Sequence, residues 1–108
     1  MKKIHINLLS IVFAAAGLIS QPILAADIAA GKSKSMTCIG CHGIKGVSMI
    51  PIYPNLAGQK EQYLDSQIKA FRDGVRINIS MTQPVSGLSD TDIANLSAYY
   101  ASLDPAGK

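Results

Sequence analysis

From Gly43 to Gly58, and again from Gly74 to Gly87, the chain shows neither the three-to-four-residue apolar repeat of a helix nor the alternation of a strand. Irregular stretches of that length in a small domain are either functional or hide an element. A bulky group packed against both would account for them. Around them three helical segments can be read, with no strand pattern, repeat or low-complexity tract, so the fold class is all-α. The first runs from Asp27, a suitable N-cap, through Ile28, Ala29 and Ala30 to the cysteines. The second lies between Gly58 and Gly74, where Leu64, Ile68 and Phe71 mark one face and Gly74 suits the left-handed position that ends a helix. The third opens at Ser89, with an acid three residues on, buries Ile93, Leu96, Tyr100 and Leu103, and stops before Pro105.

Upstream of Asp27 the composition changes. Lys2 and Lys3 precede a largely apolar run from Leu8 to Leu24, and small residues follow at Ala25 and Ala26. That is the pattern of a secretory signal, so residues 1–26 are expected to be removed after Ala25 or Ala26, leaving one domain over residues 27–108. A retained transmembrane anchor is the alternative, but Asn7, Ser10, Gly17, Ser20, Gln21 and Pro22 interrupt the run. Cleavage takes two of the ten basic residues with it, and the net charge falls from +3 to +1. The remaining lysines and arginines are scattered, which gives no reason to expect a nucleic-acid or membrane-surface partner. The mature chain is also short of large side chains: it has no tryptophan, and its aromatics are Tyr53, Tyr63, Phe71, Tyr99 and Tyr100. A core this small is marginal unless something supplements it.

The only two cysteines fall at Cys38 and Cys41, with His42 next to the second. A thioredoxin-type redox pair belongs between a strand and a helix, and no strands are legible. Zinc needs two more ligands, yet the mature chain has no other cysteine or histidine. A structural disulfide across so few residues closes a strained ring. Cys-x-x-Cys-His reads instead as the attachment site of one covalent haem c: each sulfur bonds a former vinyl carbon, and the adjacent imidazole is placed to ligate the iron. An export signal fits, because such haems are attached outside the cytoplasm.

With Pro54-Asn55-Leu56-Ala57-Gly58-Gln59, Phe71-Arg72-Asp73-Gly74-Val75-Arg76 and Leu88-Ser89-Asp90-Thr91-Asp92-Ile93 followed by Tyr99-Tyr100, the motif extends to nearly all of residues 29–103. In that order these stretches resemble a class I c-type cytochrome, nearest in kind to the short bacterial periplasmic cytochromes c-four and c-five. The two-haem relatives carry two such units and this chain one. The resemblance implies three main helices with long loops wrapped around one haem. It also implies that the Pro54 carbonyl accepts from the outer nitrogen of His42, with Pro51 as an alternative, that Leu56 packs on the ring edge, and that Gly31 lets the first helix cross the third beside Tyr99 or Tyr100. Arg72, Arg76, Gln59 and Asn78 are candidates for holding a haem propionate.

The second axial ligand separates an electron carrier from an open, ligand-binding iron. Met36 lies on the helix of the cysteines and Met49 only seven residues after His42, which leaves Met81, in the loop before the last helix where the family keeps its ligand methionine. An apolar space between His42 and Met81 is expected. The expected function is a periplasmic electron carrier, not an enzyme, with His42 and Met81 on the iron and short-lived docking to redox protein partners. The alternatives are a cytochrome subunit of a dehydrogenase or oxidase complex, or a small-ligand-binding haem protein.

Overall fold

The computed structural model describes residues 14–20 and 24–108. Most of the apolar run read as a leader lies outside these residues, and no helix among them is long and apolar enough to cross a membrane. Helix α1 spans Ile28–Lys34, capped by the Asp27 carboxylate, which accepts from the Ala30 N–H at 3.0 Å. The Asp27 N–H donates to the Asn95 side chain at 2.8 Å, and this pins the start of α1 to the last helix. The first segment is not continuous to the cysteines. It tightens into a 3₁₀ turn over Ser35–Thr37 and resumes as α2, Ile39–His42.

Helix α3, Glu61–Arg72, carries Leu64 on its buried face with Ile68 half-buried beside it. It ends in a Schellman turn: Gly74 takes φ +74°, its N–H reaches the Phe71 carbonyl at 3.4 Å, and the Val75 N–H reaches the Ala70 carbonyl at 2.9 Å. Helix α5, Asp90–Ser102, starts in a capping box in which Ser89 Oγ accepts from the Asp92 N–H while the Asp92 carboxylate accepts from the Ser89 N–H, both at 3.0 Å. Both helices fall where the apolar spacing puts them.

The second irregular stretch hides a helix that the sequence reading leaves as loop. Helix α4, Ile79–Val85, is capped by Asn78, whose side chain accepts from the Ser80 and Met81 N–H groups at 3.0 and 3.2 Å. It contains Pro84 and shows a single buried residue, Val85, so it lacks the apolar repeat by which longer helices are recognised.

The packing of α1 across α5 organises the molecule. A Cβ on Gly31 would lie 2.0 Å from the Asn95 carbonyl oxygen and 2.8 Å from Tyr99 Cβ, so only glycine permits the two backbones to approach this closely. The core is built on α5: Ile93 and the run Leu96 to Tyr100 are buried, and Leu96, Tyr99 and Tyr100 pack with Leu64 of α3, with Cys38, Leu56, Ile68, Leu88 and Leu103 around the edge. Arg72 joins α3 to α5, donating to the Leu88 carbonyl at 3.2 Å and to Asp90 at 2.7 Å. The two carboxylates beside it, Asp73 first and then Asp90, raise its pKa further above the ordinary arginine value.

Candidate haem site

His42 ends α2 and is buried, 6% exposed. Its Nδ1 lies 2.8 Å from the Pro54 carbonyl oxygen. A carbonyl only accepts, so Nδ1 carries the proton and Nε2 is left as the unprotonated nitrogen available to a metal. Pro51 makes no such contact.

The loop that presents Pro54 is knitted from its own backbone. The Gly46 carbonyl accepts from the Leu56 and Ala57 N–H groups at 2.7 and 2.9 Å, and Asn55 accepts from the Ser48 N–H at 2.7 Å. Ser48 Oγ donates to the Cys41 carbonyl at 2.6 Å and accepts from the Ile50 N–H at 3.1 Å, so the loop is tied directly to the cysteine turn. Gly43 and Gly46 both take positive φ, and a Cβ on Gly43 would meet the Val47 carbonyl oxygen at 1.9 Å. Ser48 and Asn55 escape sequence reasoning because bonds between residues seven apart in irregular backbone leave no period to read.

The two cysteines form no disulfide; Cys41 is exposed and Cys38 half-buried against the core, where burial raises the pKa of its thiol. Leu56 packs at the edge of the same core. Of the three methionines beyond residue 26, Met36 and Met49 are exposed, Met49 almost wholly, whereas Met81 on α4 is half-buried. Of the four propionate candidates, Arg72 is committed to carboxylates and a carbonyl, Asn78 caps α4, and Arg76 lies 4.6 Å over the Phe71 ring while donating to Gln67 at 2.8 Å. The Gln59 side-chain oxygen accepts from the Lys60 N–H at 2.9 Å.

Two shallow, open hollows of about 360 Å³ each flank the helices, one lined by Lys32, Lys45, Tyr99 and Asp104, the other by residues 24–26 with Lys69, Asp90 and Asn95; the expected space between His42 and Met81 is neither of these two. The irregular stretches instead leave apolar side chains facing solvent. Ile52, Val75, Ile77 and Ile79 are each four-fifths or more exposed. A chain with so small a core does not ordinarily leave that much apolar surface in its loops, and a flat apolar group held at the cysteine turn is what such loops would cover. The donor set fits a haem: two thiols one helical turn apart, an imidazole with Nε2 free, and a half-buried thioether.

Helices crossing at a glycine, with a Cys-x-x-Cys-His turn at the end of the first and a buried, carbonyl-held histidine, define a covalent haem domain. Comparison with known proteins agrees with the geometry. The family model described as cytochrome c matches residues 28–104. A cytochrome c-554(548) from Halomonas halodenitrificans is 53% identical over 83 residues, covering 74% of this chain and 100% of that protein. A cytochrome c4 from Pseudomonas aeruginosa is 44% identical over 86 residues, covering 80% of this chain but 43% of that one. Among solved structures, reduced cytochrome c4 from Pseudomonas stutzeri matches with a TM-score of 0.71 at 36% identity, over 74% of this chain and 47% of the other. The chain thus spans the whole of the Halomonas relative and less than half of these cytochromes c4. It belongs to the cytochrome c family, has the class I cytochrome c fold, and carries one haem c bound through Cys38 and Cys41.

Proposed function

We propose that this protein is an exported, periplasmic electron carrier with His42 and Met81 as axial ligands, and that it is not itself an enzyme. The haem supplies the redox chemistry, its iron alternating between ferrous and ferric. The protein's own residues hold and tune it. The observation that carries the reading is the 2.8 Å bond from His42 Nδ1–H to the Pro54 carbonyl, which fixes the tautomer and ring orientation that a ligating imidazole needs. Met81 is supported by its burial, because the other two methionines stand in solvent. A thioether is a soft donor and favours the reduced metal, which suits a carrier of positive potential. Leu56, at the core edge, would pack on the ring. Residues 1–26 would act as the leader, and the cap formed by Asp27 supports a domain that begins there.

Partners would be redox proteins met through small, short-lived interfaces. Absorption spectra of the oxidised and reduced protein, with and without Met81→Ala, test the assignment. The parent should show the weak red charge-transfer band of thioether-ligated ferric haem and should not bind carbon monoxide readily. The variant should lose the band, open the sixth position and bind carbon monoxide. Prompt carbon monoxide binding by the parent would replace the carrier reading with a ligand-binding one.

A further inference from the structure

Tyr100, near the end of α5, has its hydroxyl fully enclosed and without a hydrogen-bond partner among the described residues. Native proteins rarely leave a buried hydroxyl unpaired, because its water is lost with nothing in exchange. The ring packs with Leu64, Leu96 and Tyr99, and Cys38 packs against that same cluster. Cys38 and Ser35 are the side chains near enough to hydrogen-bond the phenol, whose pKa is raised first of all by burial. Ser35 is itself buried and spends its one proton on the Lys32 carbonyl at 2.7 Å, so it can offer only a lone pair.

Haem attachment changes what Cys38 can offer. As a thiol it holds a proton of its own. In the addition to the vinyl group its sulfur bonds one vinyl carbon and its hydrogen goes to the other, so atoms and electrons balance with no further reactant. The product is a thioether, an acceptor with no proton. Thr37 Oγ1 lies 3.9 Å from the same sulfur but is exposed and has water as an alternative. The Tyr100 hydroxyl is closed off from water, and Ser35 Oγ is the acceptor that competes with the sulfur for it.

Resting on the covalent attachment through Cys38, we propose that the Tyr100 hydroxyl donates a hydrogen bond to the Cys38 thioether sulfur of the haem-bearing protein, making Tyr100 a positioning residue for that edge of the haem. The bond satisfies the orphaned donor and draws electron density from a haem substituent, which disfavours the ferric state. Hydrogen bonding around a redox centre is one of the levers by which a protein sets potential.

The test uses the purified haem protein and its Tyr100→Phe variant. The carbon–sulfur stretching band in the resonance Raman spectrum should shift in the variant and its midpoint potential should fall, whereas Thr37→Val should leave both unchanged. An unmoved band and potential in Tyr100→Phe would overturn the proposal. So would equal losses of thermal midpoint in Tyr100→Phe and Ser35→Ala with no further loss in the double variant, which would assign the hydroxyl to Ser35. Should Tyr100→Phe fail to accumulate, the parent refolded in heavy water supplies the reading: an isotope shift of the band is expected, and its absence refutes the bond. Acid-acetone extraction runs alongside, because colour leaving the protein would overturn the attachment itself rather than the role of Tyr100.

Discussion

Gly31 is the position at which one added carbon matters most. Gly31→Ala would drive a methyl group into the Asn95 carbonyl and Tyr99, and neither backbone can yield without moving a helix. The expected cost is that of overpacking, about 1–3 kcal/mol, read as a lowered thermal midpoint of the haem protein. Met81→Ala should instead change ligation far more than stability, while Met36→Ala and Met49→Ala, at exposed positions, should keep the parent spectrum. The crossing at Gly31 is legible through the resemblance, since a glycine in a helical stretch does not by itself name the helix it meets. The bond from His42 to the Pro54 carbonyl is legible only through the resemblance, since no pattern in the residues themselves joins position 42 to position 54. Ser48 and Asn55, which tie that loop to the cysteine turn, are legible in neither.

Helices α3 and α5 were readable because their signals are local: an apolar stripe, a cap at one end, a glycine or proline past the other. The capping box of α5 makes this testable. Ser89→Ala removes the acceptor for the Asp92 N–H and should cost about 1 kcal/mol. Asp92 gives the same cap a pH dependence. Its carboxyl is held below the ordinary aspartate range, first by the Ser89 backbone N–H and then by lesser contributions that include Lys34. A group depressed in the folded state stabilises it above the unfolded carboxylate pKa, and that contribution is lost as pH falls through the folded value. Thermal midpoints should therefore fall on acidification, less steeply in Asp92→Asn. An identical slope in the two proteins would refute the assignment. Helix α4 escaped detection for the converse reason: at seven residues with one buried side chain it has a cap but no stripe, and Pro84 near its end reads as a breaker.

For the molecule as a whole, the deficit of large side chains inferred from composition has its counterpart in a small core centred on α5 and in loops that leave isoleucines and a valine in solvent. The haem is thus expected to be part of the core. Protein made in a compartment without the attachment machinery should show no cooperative thermal transition, and a colourless form melting like the haem protein would contradict this. What composition does not convey is which apolar side chains of the loops face solvent, because exposure registers only in three dimensions. The end of the chain adds a further point. The Gly58 N–H donates to the Tyr100 carbonyl at 2.9 Å, Pro105 lies where a Gly58 side chain would be, and Val47 sits within 3.2 Å of the space beside Gly107. The tail and the loop carrying Pro54 therefore brace one another, and neither can open without exposing the other. In native-state hydrogen exchange, the amides of Gly46, Leu56, Ala57, Gly58 and Gly107 should behave as one opening unit. A tether or tag joined after Lys108 would pull directly on the segment that orients the histidine.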